Sequence, residues 1–214
     1  EEWCQGVHQN LAQSITNNNA PYAEPAAAKE ALKLYQKGAA LMPNDYETYY
    51  QIGRLLNLPA EQRGAKKGGK TDVIGGKSDK ASAALRTAAS LQPTNAEALQ
   101  MLAMRLVSAP RKKTRQAAKK IATKAVRIDP ASAMSYVALG YTLMGQETDE
   151  TKLSDATRDK VVTHLRTALG LSEKYEADGK AAPSVPLSRE RKAETTFNIG
   201  RLLSVKDANT AMHH

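Results

Sequence analysis

Apolar and small side chains recur along this chain at spacings of three and four, the period of one helix face. The clearest run is Tyr46–Leu58, where Tyr49, Ile52, Gly53 and Leu56 fall on one stripe. The spacing predicts a helix there, with Asp45 placed to cap it. Upstream, Ala27, Ala31, Leu34, Tyr35 and Gly38 line a second helix that begins near Pro25 and stops before Pro43. Proline is tolerated in a first helical turn and marks an end when it follows one. Trp3, Val7 and Leu11 mark an earlier helix over 3–16, closed by a turn at Asn17–Pro21.

The same rhythm continues downstream. Ala81, Leu85 and Ala88 define a helix that opens at Ser78-Asp79 and closes at Pro93. Thr94-Asn95 is placed to cap a helix carrying Leu99, Leu102, Ala103 and Leu106, which Pro110 breaks. Ala118, Ala122 and Ala125 follow before Pro130, then Tyr136, Leu139, Gly140 and Leu143. Val161, Leu165 and Ala168 form the next stripe, and Phe197, Ile199, Gly200 and Leu203 the last. Polar or glycine-rich insertions separate these stripes at 59–78, 145–158 and 177–187. Two direct echoes fall at equivalent places in the pattern. Ile-Gly-Arg-Leu-Leu stands at 52–56 and at 199–203, and Leu-Arg-Thr-Ala at 85–88 and at 165–168.

These stripes resemble the tetratricopeptide repeat, a pair of antiparallel helices with an aromatic and a Leu-Gly pair on the first and Ala and a closing Pro on the second. Tyr49, Ile52-Gly53 and Leu56 match a first half, with Ala81, Leu85, Ala88 and Pro93 as its second half. Leu99, Leu102-Ala103 and Leu106 pair with Ala118, Ala122, Ala125 and Pro130. Tyr136, Leu139-Gly140 and Leu143 pair with Val161, Leu165 and Ala168, although Glu173 stands where the closing proline belongs. Ala31, Tyr35, Gly38 and Pro43 match a second half whose first helix is 3–16. The resemblance implies an all-α fold, an α-α superhelix in which one solenoid spans the chain. Its helical pairs are expected at about 3–42, 46–92, 96–129 and 133–175, with an unpaired first-half helix at 189–205. That last helix is expected to leave Phe197, Ile199 and Leu203 without cover.

In such a stack small residues let paired helices approach, and first-half helices line the inner face. The resemblance therefore implies a groove for a peptide or protein partner. By spacing, Tyr50, Arg54, Gln100, Met104, Val137, Tyr141, Phe197 and Arg201 are the residues expected to face it. Family members that grip C-terminal carboxylates use an Asn directly after the Gly. Here Arg54, Met104, Tyr141 and Arg201 hold that place, so carboxylate-tail capture is not expected. Arg54 and Arg201 remain suited to an acidic partner through bidentate pairing.

Composition agrees with stacked helices. Alanine is abundant and aromatics are 5% of the chain. The formal net charge of +9 favours anionic partners. Much of it is local, since Arg111, Lys112, Lys113, Arg115, Lys119, Lys120, Lys124 and Arg127 occur with no acid before Asp129. Within that run Arg111, Lys112, Lys113, Lys119 and Lys120 are the candidate polyanion contacts. A solvated outer face is the plainer reading, and no aromatic is interleaved for base stacking.

Candidate chemistry is sparse. Gly64–Thr71 matches the phosphate-loop pattern but lacks the preceding strand that this chemistry needs. His8, His164, His213 and His214 have no ligand or catalytic partner at suitable spacing, and Cys4 is the only cysteine. Neither a catalytic site, a metal site nor a cofactor is expected. No apolar run reaches membrane-spanning length. The chain begins at Glu1 without methionine, as a processed or excised segment would. The leading expectation is a non-catalytic scaffold in a larger assembly. The alternatives are an accessory region of a larger enzyme, head-to-tail self-association through the uncapped last helix, and RNA or polyanion binding through 111–127.

Overall fold

Short polar side chains set where the helices begin. The computed structural model describes residues 25–58, 74, 79–146, 152–178 and 186–211. Within them lie α1 (Pro25–Leu41), α2 (Tyr46–Asn57), α3 (Lys80–Leu91), α4 (Glu97–Val107), α5 (Lys112–Ile128), α6 (Ala133–Met144), α7 (Asp155–Asp178) and α8 (Arg189–Ala211), and no strand among the described residues. Asp45 caps α2 by accepting the Thr48 N–H at 3.0 Å. Asp79 caps α3 by accepting the Ser82 N–H at 3.1 Å and its hydroxyl at 2.6 Å. Each satisfies a first-turn donor that would otherwise lack a partner. At α4 the cap residue is Ala96, and the Asn95 side chain reaches past it to accept the Glu97 N–H at 2.9 Å. The expected helix over 3–16 and the phosphate-loop-like segment 64–71 lie outside the described residues.

The chain divides into two compact units, Glu1–Pro93 and Thr94–His214. In the first, Ala28, Ala31 and Tyr35 of α1 meet Ile52 and Leu55 of α2 and Ala84 of α3 in one buried cluster. Small residues on α1 let Tyr35 fill the space between helices. Leu85 of α3 is fully buried and seats against Gly53 of α2, where a Cβ would stand 2.5 Å from its Cγ.

The second unit holds α4 to α8. Its main core joins Ala103, Ala122, Leu139, Leu143, Val161, Leu165, Ile199 and Leu202, so every one of these helices contributes. The approach of α6 and α7 repeats the first unit. A Cβ on Gly140 would stand 2.6 Å from Cδ2 of Leu165, itself fully buried. The two Leu-Arg-Thr-Ala echoes thus supply the same knob to the same glycine hole.

Three sequence expectations change. The insertion over 145–158 is shorter, because Leu153 is buried and Ser154 opens α7 by accepting the Thr157 N–H at 3.3 Å. The polar stretch 177–187 ends in a core residue. Leu187 is 4% exposed, packs with Ala133, Val137 and Ala168, and donates its N–H to the Ser172 hydroxyl at 3.0 Å. Ile199 and Leu203 are not uncovered. Ile199 is buried and Leu203 packs against the same core, because α8 lies against the preceding pair.

Candidate functional site

The first-half helices α2, α4, α6 and α8 share one register, marked by Gly53, Ala103, Gly140 and Gly200. Spacing assigns two positions in that register to a groove, and the structure treats them differently. The position three residues before the small one is Tyr50, Gln100, Val137 and Phe197. Gln100 is buried and donates to the hydroxyls of Ser132 (3.0 Å) and Ser135 (2.9 Å) at the start of α6. Val137 is fully buried against Ala168 and Leu187. Both side chains are therefore taken up in packing, Gln100 by the start of the next first-half helix and Val137 by α7 of its own pair and Leu187, and spacing alone does not reveal which neighbour covers a face. Tyr50 is half-buried and stacks on Tyr46 with ring centroids 5.6 Å apart. Phe197, on the last helix, is 68% exposed.

The position directly after the small residue is Arg54, Met104, Tyr141 and Arg201, and none of these is buried. Met104 and Tyr141 rest against the core of the second unit while keeping part of their surface open. Asn198 joins two of these positions. Its amide donates to the Tyr141 hydroxyl at 3.1 Å, and its oxygen accepts from the Arg201 guanidinium at 2.9 Å. A phenol and a guanidinium on adjacent first-half helices are so held in fixed relation. Burial, followed by the nearby Glu194 carboxylate, raises the Tyr141 pKa above its usual value, so the phenol stays a neutral donor. In the first unit Arg54 donates to Gln51 at 3.3 Å, the residue three before it, as Arg201 does to Asn198. The guanidinium carbons of Arg54 and Arg201 each lie 6.0 Å from the ring centroid of Tyr50 and Phe197 respectively.

No family model matches the chain, and no curated protein does. Solved structures do. A thermophilic TPR protein of Thermus thermophilus aligns over 97% of this chain and 97% of its own, at 16% identity and a TM-score of 0.52. MamA from Desulfovibrio magneticus RS-1 aligns over 96% of each chain, at 16% identity and a TM-score of 0.51. The fold is the tetratricopeptide-repeat fold. The tetratricopeptide signature is degenerate in this chain, because Ala103 replaces the glycine of one repeat and Leu99 the aromatic. Both substitutions keep a helix contact of small against apolar.

The basic run also resolves into two roles. Arg111, Lys112, Lys113, Lys119 and Lys120 are exposed on or next to α5, while Ala118, Ala122 and Ala125 form its fully buried side. Arg115 alone turns inward. It is 8% exposed and donates to the carbonyls of Ala109 (3.0 Å) and Pro110 (2.9 Å), tying the turn after α4 to α5. Sequence spacing did not single out Arg115, Asn198 or Leu187. Arg115 looked like its basic neighbours, and its phase with Ala118 and Ala122 was the available signal.

Among the described residues no group of three His, Cys, Asp or Glu side chains could hold a metal ion. No helix among them is long and apolar enough to cross a membrane.

Proposed function

We propose that the chain is a non-catalytic scaffold that holds a segment of another protein along the first-half helices of its second unit. The observation that carries this reading is the open position Met104, Tyr141 and Arg201 of the second unit, with Asn198 fixing the last two. Aromatic, Met and Arg side chains of this kind are the usual anchors of protein interfaces. Arg201, with its planar fork of donors, favours a segment with acidic residues, and Arg54 offers the same fork on the first unit by itself. Within a larger enzyme the same face would serve as an accessory docking region.

The test places a photo-reactive residue at Met104 and, separately, at Arg166 on the exposed side of α7. Crosslinking in an extract of the native source is expected to join one protein through position 104 and not through 166. Arg201→Ala is expected to weaken binding of that protein about tenfold, the scale of one lost anchor. Equal labelling at both positions would contradict the reading.

The exposed face of α5 supports a second reading, contact with the phosphate backbone of RNA. Arg111, Lys112, Lys113, Lys119 and Lys120 carry it, on a helix without an acidic residue. Replacing the four lysines with Gln is expected to weaken RNA retention at low salt. Unchanged retention would dismiss this reading.

A further inference from the structure

The exposed side of α5 is ordered as well as basic. Side chains seven apart on a helix stand almost in line. Lys112 and Lys119 form one such row, and Lys113 and Lys120 a second, which Lys124 extends. All five are exposed. The two rows stand about 100° apart around the helix axis. Between them runs a third exposed row, Gln116 and Thr123, which is polar and uncharged. The helix contains no acidic residue to balance the lysines. On its opposite side Ala118, Ala122 and Ala125 are fully buried, and Ile121 and Val126 at the edges pack against the core. Only half of the helix therefore stands clear of the protein.

We propose that α5 lies along the shallow minor groove of double-stranded RNA, an inference that rests on the RNA reading above and names the kind of RNA. Two cationic rows with a neutral polar row between them match two phosphate rails with a floor between. A duplex offers two rails and a single strand only one. Single strands are held largely by base stacking on aromatic side chains, and α5 has none. The lysine heads spread over about the 10–12 Å diameter of a helix with its side chains, so one row serves each rail. Lysines are point charges that carry no sequence information to a phosphate, so the contact is independent of sequence. The form of the duplex follows from the buried half of α5. The major groove of DNA, about 8.5 Å deep, takes a helix that enters it. The minor groove of A-form RNA is wide and shallow and displays 2′-hydroxyls, which a half-buried helix can meet. Gln116 brings both a donor and an acceptor to that floor. Thr123 donates its own proton to the Lys119 carbonyl at 3.0 Å, which leaves its oxygen as an acceptor for a 2′-hydroxyl.

The test titrates the intact protein, at one salt concentration, into a labelled RNA duplex, one of its strands alone and the DNA duplex of the same sequence, followed by fluorescence anisotropy. The RNA duplex is expected to bind about tenfold more tightly than either of the others. Removing one row, by Lys112→Gln with Lys119→Gln or by Lys113→Gln with Lys120→Gln, is expected to weaken duplex binding about tenfold in each case. Gln116→Ala with Thr123→Ala leaves every charge in place and is expected to erase the preference for RNA over DNA. Circular dichroism confirms that each variant keeps its helices. A single strand or a DNA duplex bound as tightly as the RNA duplex overturns the proposal and leaves contact with nucleic acid standing. A dispensable row, or a preference for RNA that survives Gln116→Ala with Thr123→Ala, overturns it as well. Failure to bind any RNA dismisses the RNA reading itself, and the proposal with it.

Discussion

Three glycines at one register position have opposite energetics. At Gly53 and Gly140 an added methyl would press into a buried leucine side chain, at 2.5 Å and 2.6 Å respectively. Overpacking of that kind costs about 1–3 kcal/mol, more than the ~0.5–1 kcal/mol that alanine gains over glycine inside a helix. Gly53→Ala and Gly140→Ala are therefore expected to lower the urea midpoint. Gly200→Ala meets no atom of the described residues and is expected to raise it, by roughly 0.5–1 kcal/mol in stability. His164 offers a second residue-scale check. It is half-buried beside the Tyr136 ring, with centroids 6.1 Å apart, and burial lowers its pKa below 6.5. The unfolded chain then takes up a proton more readily than the folded one, so this contribution is present above pH 6.5 and is lost as pH falls below it. A histidine NMR titration with a midpoint below 6.5 is the expected outcome. A midpoint at or above that value would place the ring in water or beside a carboxylate.

At the scale of the helix, stripes of small and apolar residues were sufficient to locate α1 to α8. The cap at Asp45 was legible for the same reason, since a short acidic side chain before an apolar stripe has few other uses, and Ser78-Asp79 was legible as the place where α3 opens. Leu187 was not legible. A lone apolar residue in a proline-containing polar stretch carries no period, and its role depends on α7 returning beside α6. Leu187→Ala is expected to cost about 2–4 kcal/mol, because it opens a cavity between Val137 and Ala168. Leu165→Ala is expected to cost as much alone. Combined with Gly140→Ala it should cost less than the sum, since the added methyl enters the space the leucine leaves. Additive losses in that cycle would mean that the two side chains do not share a site. The candidate site was legible in part. The position after each small residue is not buried, whereas Gln100 is bonded to the start of α6 and Val137 is packed against α7 and Leu187. Which neighbour covers a face is a tertiary fact that single-helix periodicity does not contain.

For the molecule as a whole, charge and packing make separable demands. Much of the net charge of +9 lies on the exposed side of α5, whose buried side is alanine with Arg115. If the stripe holds RNA, removing four lysine contacts should flatten the slope of log affinity against log salt by roughly 3, from ~0.7 per phosphate on a single strand. The packing should not respond, since none of those lysines enters a core. The central claim is that helices pair by seating a leucine in a glycine hole, once in each unit. The most direct measurement is a nuclear Overhauser experiment on the chain with labelled methyl groups. Strong cross-peaks are expected from the Leu85 methyls to the Gly53 Hα and from the Leu165 methyls to the Gly140 Hα. A helical spectrum in which both pairs of cross-peaks are missing would contradict the account.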